Sequence, residues 1–270
     1  MSIDATTPKT LTQHLERVLA GGATAALVTL VKAEINAGRK MLIERSGEIT
    51  GSLGNSELDK AVGGYGERFL ESQDRTSTLD VAQLLPEQSD WQNAKLMFER
   101  IEPEPRIVIC GAGHVGAALA RLAGLIGYWG TLIDDRREFL SRDVVSDERI
   151  SFLFTTEWFE SVREALGNGR GVSVAVVTRG HNEDEICLRA VMSTEVDYVG
   201  MIGSKRRTNI VLDRLREAGA DEERLRRVHA PIGLDIGAVT PEEVALAIMA
   251  EVVARRRGGS GLPLSAWRRQ

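Results

Sequence analysis

At 270 residues, with 43% hydrophobic and 27% charged side chains, the chain has the composition of a globular protein of one or two domains. Its net charge of −5 excludes the broad basic face that nucleic acid or an anionic membrane surface would require, so neither is expected as a partner. Cys110 and Cys187 are too few and too far apart in sequence for a disulfide framework or a zinc motif, which fits a reducing compartment. The start MSIDATTPKT has no basic n-region, and ATAALVTLV (23–31) is too short to span a bilayer. The expectation is a cytoplasmic protein.

In chain order, Thr7-Pro8 predicts a helix start, with Thr as cap and Pro pre-set at the first helical position. Leu11, Leu15, Val18 and Leu19 share one face, and Gly21-Gly22 end the helix. AALVTLVKA reads as a buried strand, and KMLIER and EITGSL flank the turn Ser46-Gly47 as a hairpin. A helix follows from Ser56 to about Ser72, although Gly63, Gly64 and Gly66 weaken it. Residues 73–93 read as a surface connection with some helix, LMFERI as a strand, and EPEP (102–105) as a stiff linker. The predicted domains are an N-terminal α+β unit over 1–101 and a Rossmann-like cofactor-binding unit over 106–270.

Past the linker, strands alternate with helices, the signature of an α/β parallel sheet with helices on both faces. RIVIC, YWGTLID, ISFLFT, GVSVAVVT and VDYVGMIG are the strands. HVGAALARLAGLIG, TEWFESVREALG, NEDEICLRAVMS, KRRTNIVLDRLREAG, DEERLRRVH and PEEVALAIMAEVVARRR are the helices. Thr240-Pro241-Glu242-Glu243 is a capping-box start, and the tail GGSGLPLSAWRRQ reads as loosely held.

Gly111, Gly113 and Gly116 form G-x-G-x-x-G between a strand and a helix. The first glycine allows a tight turn, the second lets a phosphate reach the backbone, and the third lets helix and strand pack closely. Uncapped N–H groups at the helix start then face an anion. Asp134 and Asp135 end the second strand, where a carboxylate can accept from ribose hydroxyls, and Arg136 stands open to a 2′-phosphate. His114 would sit beside the phosphate as a neutral imidazole, or pack at the sheet edge.

Ligands of such sheets lie outside the C-terminal ends of the strands. Thr178, Arg179, Gly180, His181 and Asp184 fall on one such loop, Gly203, Ser204 and Lys205 on another, and His229, Pro231, Gly233, Asp235 and Gly237 on a third. Ser204 could equally cap its helix and Asp184 complement a helix dipole. RRVH and KRR read as solvated faces. No catalytic motif stands out, and two histidines, His114 and His181, do not make a metal site without a third ligand. Should the chain be an enzyme, His181 and Lys205 are the candidates for its acid.

CGAGHVG, IDDR, VVTRGHNEDE, YVGMIGSKRR and PIGLDIGAVTPEEVALAI, in that order over 106–257, resemble the xanthine dehydrogenase accessory family, XdhC/CoxI. The resemblance implies a non-catalytic carrier that binds the molybdenum cofactor, holds its sulfurated form and inserts it into a molybdenum hydroxylase such as xanthine or carbon monoxide dehydrogenase. Its partners would be that apo-enzyme and a cysteine desulfurase, and the apolar hairpin with Trp267 leaves a homodimer open. The residues implied in the cofactor site are Gly111, Gly113, His114, Gly116, Asp134, Asp135, Arg136, Thr178, Gly180, His181, Gly203, Ser204, Lys205, Asp235 and Gly237. Many relatives carry Gly-Gly-Cys after the hairpin, where this chain has GSLGNSELD (51–59), with Asn55 and Ser56 in place of a thiol. Two other readings stand beside the carrier: an NAD(P)-dependent oxidoreductase using the same cradle, and a module that senses a nucleotide through domain closure.

Overall fold

The computed structural model describes residues 8–265 except 73, 89, 90 and 92, so the cap expected at Thr7 and the tail residue Trp267 lie outside the described residues. The chain forms two compact units, residues 1–103 and 104–270. Among the described residues, no helix is long and apolar enough to cross a membrane.

The first unit contains α1 (Pro8–Ala20), β1 (Ala25–Lys32), β2 (Lys40–Glu44), β3 (Ile49–Gly51), α2 (Ser56–Glu71), β4 (Thr76–Asp80) and β5 (Lys95–Ile101). Its strands form an antiparallel sheet in the order β3-β2-β1-β5-β4. The period-two alternation of strands sorts side chains to opposite faces. Ala25, Leu27 and Leu42 pack under Leu11, Leu15 and Val18 of α1, whereas Ala26, Val28, Met41 and Ile43 pack under Leu58, Val62 and Phe69 of α2. The glycines that weaken α2 on paper have a packing reason: a Cβ on Gly63 would lie 2.8 Å from the Ile49 side chain, and one on Gly66 would collide with Ile43. The helix approaches the sheet closely because those positions are bare.

One strand was not expected. Residues 76–80 read as surface connection, yet β4 pairs with β5 from Thr76↔Glu99 to Asp80↔Lys95. TSTLD is an edge strand with a largely polar surface, so it lacks the apolar signal of its neighbours.

The second unit contains β6 (Arg106–Cys110), α3 (His114–Leu125), β7 (Trp129–Asp134), β8 (Ile150–Phe154), α4 (Trp158–Leu166), β9 (Val172–Val176), α5 (His181–Met192), β10 (Tyr198–Met201), α6 (Lys205–Glu217), α7 (Glu222–Arg226), β11 (Val228–His229) and α8 (Pro241–Arg257). The six strands are parallel, in the order β8-β7-β6-β9-β10-β11. Counted within the unit this is 3-2-1-4-5-6, the doubly wound order, with its reversal between β6 and β9. α3 and α8 cover one face around Ile107, Ile109, Leu119 and Ile248, and α4, α5 and α6 cover the other around Val108, Val174, Leu188 and Val211. The expected α/β architecture is therefore present. β11 escaped the sequence reading, being two residues long and preceded by the helical run DEERLRR.

Candidate functional site

Cys110 lies opposite both Ile133 and Val176, so β6, β7 and β9 end level and their following loops emerge side by side at the reversal point. Gly111 takes φ +111°, and a Cβ there would lie 2.6 Å from the Val177 carbonyl oxygen. Only glycine makes this turn against β9. A Cβ on Gly116 would run into the Gly111 carbonyl, so the third glycine seats α3 against the loop. Gly113 differs: a Cβ there meets nothing within 4 Å. The space beside it is open, as a close-approaching phosphate requires.

α3 begins at Gly113 with no side-chain cap and no acid in its first turn. Its first N–H groups are thus left for an anion, and the helix dipole favours one. α5 also begins on a glycine, Gly180, without a side-chain cap, but Glu183 and Asp184 occupy its first turn. By contrast Ser204 Oγ caps α6, accepting from Arg207 N at 3.3 Å, and Thr240 and Glu243 form the expected capping box of α8. The bland role considered for Ser204 is the one it fills. Among the described helix starts at this edge of the sheet, α3 alone lacks both a side-chain cap and a first-turn acid.

The first acid at the end of β7 is not free for a ribose. Asp134 is buried, and its Oδ2 accepts the Ala112 N–H at 2.6 Å, while Oδ1 accepts the Arg136 N–H at 2.9 Å and Arg136 Nε at 2.8 Å. Burial pushes this carboxyl up, but the hydrogen bonds from Arg136 and Ala112 outweigh it and hold the acid below its usual range. Asp134 therefore anchors the glycine turn from below, which corrects its expected role. Arg136, expected to stand open to a 2′-phosphate, is held by Asp134 and lies 3.9 Å from the Phe139 ring centroid. Asp135 accepts from Arg179 at 2.9 Å, tying the β7 loop to the β9 loop.

A second polar cluster links the β9 and β10 loops. Asp184, fully buried, lies with Oδ1 2.6 Å from the Thr178 hydroxyl, and its Oδ2 accepts Arg207 Nε at 2.9 Å and Arg207 Nη2. Arg207 also donates to the Thr178 carbonyl at 3.3 Å. Burial raises the Asp184 carboxyl above its ordinary range, with Thr178 and Arg207 opposing that rise. Asp184 is thus a structural clamp as well as a first-turn acid of α5, and Arg207 is not part of a solvated face. The sequence carries no local signal for this pair, an acid in the first turn of α5 and an arginine in the first turn of α6.

His181 and Ser204 line an open groove of about 340 Å³ with Arg206, Arg207, Ile210 and Arg214. Arg214 pairs with Glu185 at 3.3 Å, leaving Arg206 as a cation without a partner among the described residues. Lys205 and His114 are exposed, and no hydrogen bond joins His114 to His181 among the described residues. Gly203, with φ +151°, turns the chain into α6. Asp235 and Gly237 lie on the exposed loop before α8, and no hydrogen bond ties them to the cradle among the described residues. Two further depressions, of about 130 and 660 Å³, open at the opposite edge of the sheet around Asp197 and Arg227.

His229 is not a loop residue of the site. It ends β11, stacks on Tyr198 with ring centroids 4.8 Å apart, and shares Glu251 of α8 with the Tyr198 hydroxyl and the Gly233 N–H, at 2.8, 2.6 and 2.7 Å. Burial and the Glu251 contact push the Tyr198 hydroxyl up, whereas Glu251, despite its burial, is held low by the donors around it. In the first unit, Asn55 caps α2 by accepting the Leu58 N–H at 3.0 Å, and Asp59 accepts from Ser52 and Leu53. The stretch where the resemblance led to the expectation of a thiol is here a hydrogen-bonded helix start. Both cysteines are buried.

The model of the XdhC Rossmann domain matches residues 107–252, and that of the XdhC and CoxI family matches residues 18–81. The chain belongs to the XdhC family. It is 30% identical over 228 residues to the uncharacterized protein YqeB of Escherichia coli (strain K12), covering 82% of this chain and 41% of that one. It is 27% identical over 168 residues to a probable xanthine dehydrogenase subunit of Bacillus subtilis (strain 168), covering 62% and 47%. This XdhC-family chain spans less than half the length of either curated relative. The crystal structure of a xanthine dehydrogenase from Bacillus halodurans shares the fold, with a TM-score of 0.64 at 20% identity over 96% of this chain and 75% of that one.

Proposed function

We propose that this XdhC-family chain is an accessory factor that binds the molybdenum cofactor and passes it, in sulfurated form, to a molybdenum hydroxylase such as xanthine dehydrogenase. A cysteine desulfurase would be the second partner, the cytoplasm the compartment, and a homodimer its assembly. Family membership and the name of the Bacillus subtilis relative support the hydroxylase link. The observation that carries the reading is the uncapped, acid-free start of α3 beside the open space at Gly113, which fits a phosphate. Bound there, the cofactor supplies molybdenum to the recipient enzyme. The residues of this chain hold and orient: the α3 N–H groups grip the phosphate, and Asp134 keeps the turn in shape from beneath. Both cysteines are buried and Asn55 and Ser56 are not thiols, so the described residues offer the metal no accessible thiolate and the grip rests on phosphate and pterin.

The oxidoreductase reading loses Asp134 as a ribose acceptor, because both its oxygens are taken by Ala112 and Arg136, and is left with Asp135, whose Oδ2 pairs with Arg179. Equilibrium binding of the full chain to isolated molybdenum cofactor, with NAD, NADP and NADPH in parallel, separates the two. The expected result is cofactor binding that Gly113→Val weakens roughly 100-fold, as loss of two charge-assisted hydrogen bonds of about 1.5 kcal/mol each implies. Unchanged affinity in that variant would remove the cradle from the account, and binding of nicotinamide nucleotides alone would replace the carrier by an oxidoreductase.

A further inference from the structure

The first unit holds a group of side chains that the cofactor site does not use. His14 lies on α1, three residues past Leu11 and one before Leu15, on the face that packs against the sheet. Glu44 ends β2 on that same face, two residues beyond Leu42. The chain then turns at Ser46-Gly47, with Gly47 N donating to the Glu44 carbonyl and Glu44 N donating to the Glu48 carbonyl, both at 2.9 Å. This tight turn returns Glu48 beside Glu44. His14 Nε2 lies 2.7 Å from Glu44 Oε1 and 4.0 Å from Glu48 Oε1. One ligand atom from each of the three residues falls within 4.8 Å of the others.

From this convergence we propose that His14, Glu44 and Glu48 form a binding site for a borderline divalent cation, zinc above all. Three observations support it. The donor set is one imidazole nitrogen and two carboxylates, which suits zinc better than calcium or magnesium, whose preference is for oxygen alone. The spacing is near what a tetrahedral ion demands: ligand bonds of about 2.1 Å imply ligand atoms roughly 3.4 Å apart, between the 2.7 and 4.0 Å present here. A small rotation of the two glutamates therefore closes the site without moving backbone.

Charge points the same way. Two carboxylates converge on a single imidazole, and neither has an ion pair with any Lys or Arg among the described residues. A divalent cation neutralises the pair, whereas the imidazole by itself carries at most one positive charge. Access is built in, because the His14 and Glu44 side chains are 11% and 16% exposed while Glu48 is 64% exposed. Glu48 forms an open side from which the ion enters, and water completes the coordination. The sequence has no metal motif here: the ligands sit on a helix and across a hairpin turn, thirty and thirty-four residues from His14, and only the packing of α1 on β2 and β3 unites them.

The test is zinc titration of the full chain after chelator treatment, read by competition with a chromophoric chelator, with magnesium as the control ion. One equivalent of zinc should bind, magnesium should not compete, and His14→Ala should weaken zinc binding about 100-fold. Glu48→Gln, at the exposed turn where folding is least at risk, should weaken it about tenfold. Gly113→Val should leave it unchanged, so the site stands or falls separately from the cofactor cradle. In cobalt-loaded protein the visible bands of a tetrahedral ion should appear, and should be absent from His14→Ala. No stoichiometric zinc, or equal zinc affinity in wild type, His14→Ala and Glu48→Gln, would overturn the proposal.

Discussion

Replacing Arg207 by Met tests whether the Thr178–Asp184–Arg207 cluster holds the two sides of the β9 and β10 loops together. The change removes two hydrogen bonds to Asp184 Oδ2 and one to the Thr178 carbonyl, and leaves a fully buried carboxylate with the Thr178 hydroxyl as its partner. Breaking a buried ion pair from one side typically costs about 3–5 kcal/mol. The Arg207 side chain is 29% exposed, so water reaches part of the vacated space, and we expect roughly half of that, about 2 kcal/mol. The loss should depend on pH. Burial already raises the Asp184 carboxyl, and a raised acid contributes stability that is present below its unfolded value and lost as pH rises through its folded one. Without Arg207 the folded value rises further, so the variant should be less impaired at pH 4 than at pH 8. Hydrogen exchange of the α5 and α6 amides in the full chain reads the local opening free energy without assuming two-state unfolding. Asp184→Asn should cost less, and the double variant should show a coupling of about 1–2 kcal/mol. A coupling near zero, or a loss independent of pH, would refute the view that these residues form one clamp.

Gly116→Ala should destabilise the second unit by about 1–3 kcal/mol in thermal unfolding and weaken cofactor binding, because its methyl meets a backbone carbonyl that cannot rotate away; an unchanged melting temperature would contradict the packing role. Glu251 is held below its ordinary range, so its share of stability is present above about pH 4.3 and is lost as pH falls through its lower folded value. Glu251→Gln should therefore cost about 2 kcal/mol at pH 7 and less at pH 3, measured by urea unfolding. Equal costs at both pH values would mean that the charge of Glu251 is immaterial to Tyr198, His229 and Gly233.

Those parts of this protein that depend on local pattern are legible in the chain alone. The strand–helix alternation after residue 105, the glycine turn, the Thr240 capping box and the hairpin at Ser46-Gly47 each follow from spacing of a few residues, and each is present. Short-range steric and hydrogen-bonding rules leave such signatures in the sequence. Two short elements were lost because that signal is weak in them: β4 is polar at the sheet edge, and β11 is too short to show a period.

Which charged groups are free is settled by the folded arrangement. Asp134 reads as a ribose acceptor until the Ala112 N–H is found beneath it, and Asp184 reads only as a helix-terminus acid until Arg207 arrives from the next helix. His229 reads as a cleft histidine until β11 seats it between Tyr198 and Glu251. Likewise His14, Glu44 and Glu48 belong to different elements and meet only where α1 crosses the hairpin. An ionisable side chain takes its role from the partner that satisfies it, and that partner is chosen by packing across tens of residues. Local pattern encodes the glycine turn; the fold selects which acids and bases remain free beside it.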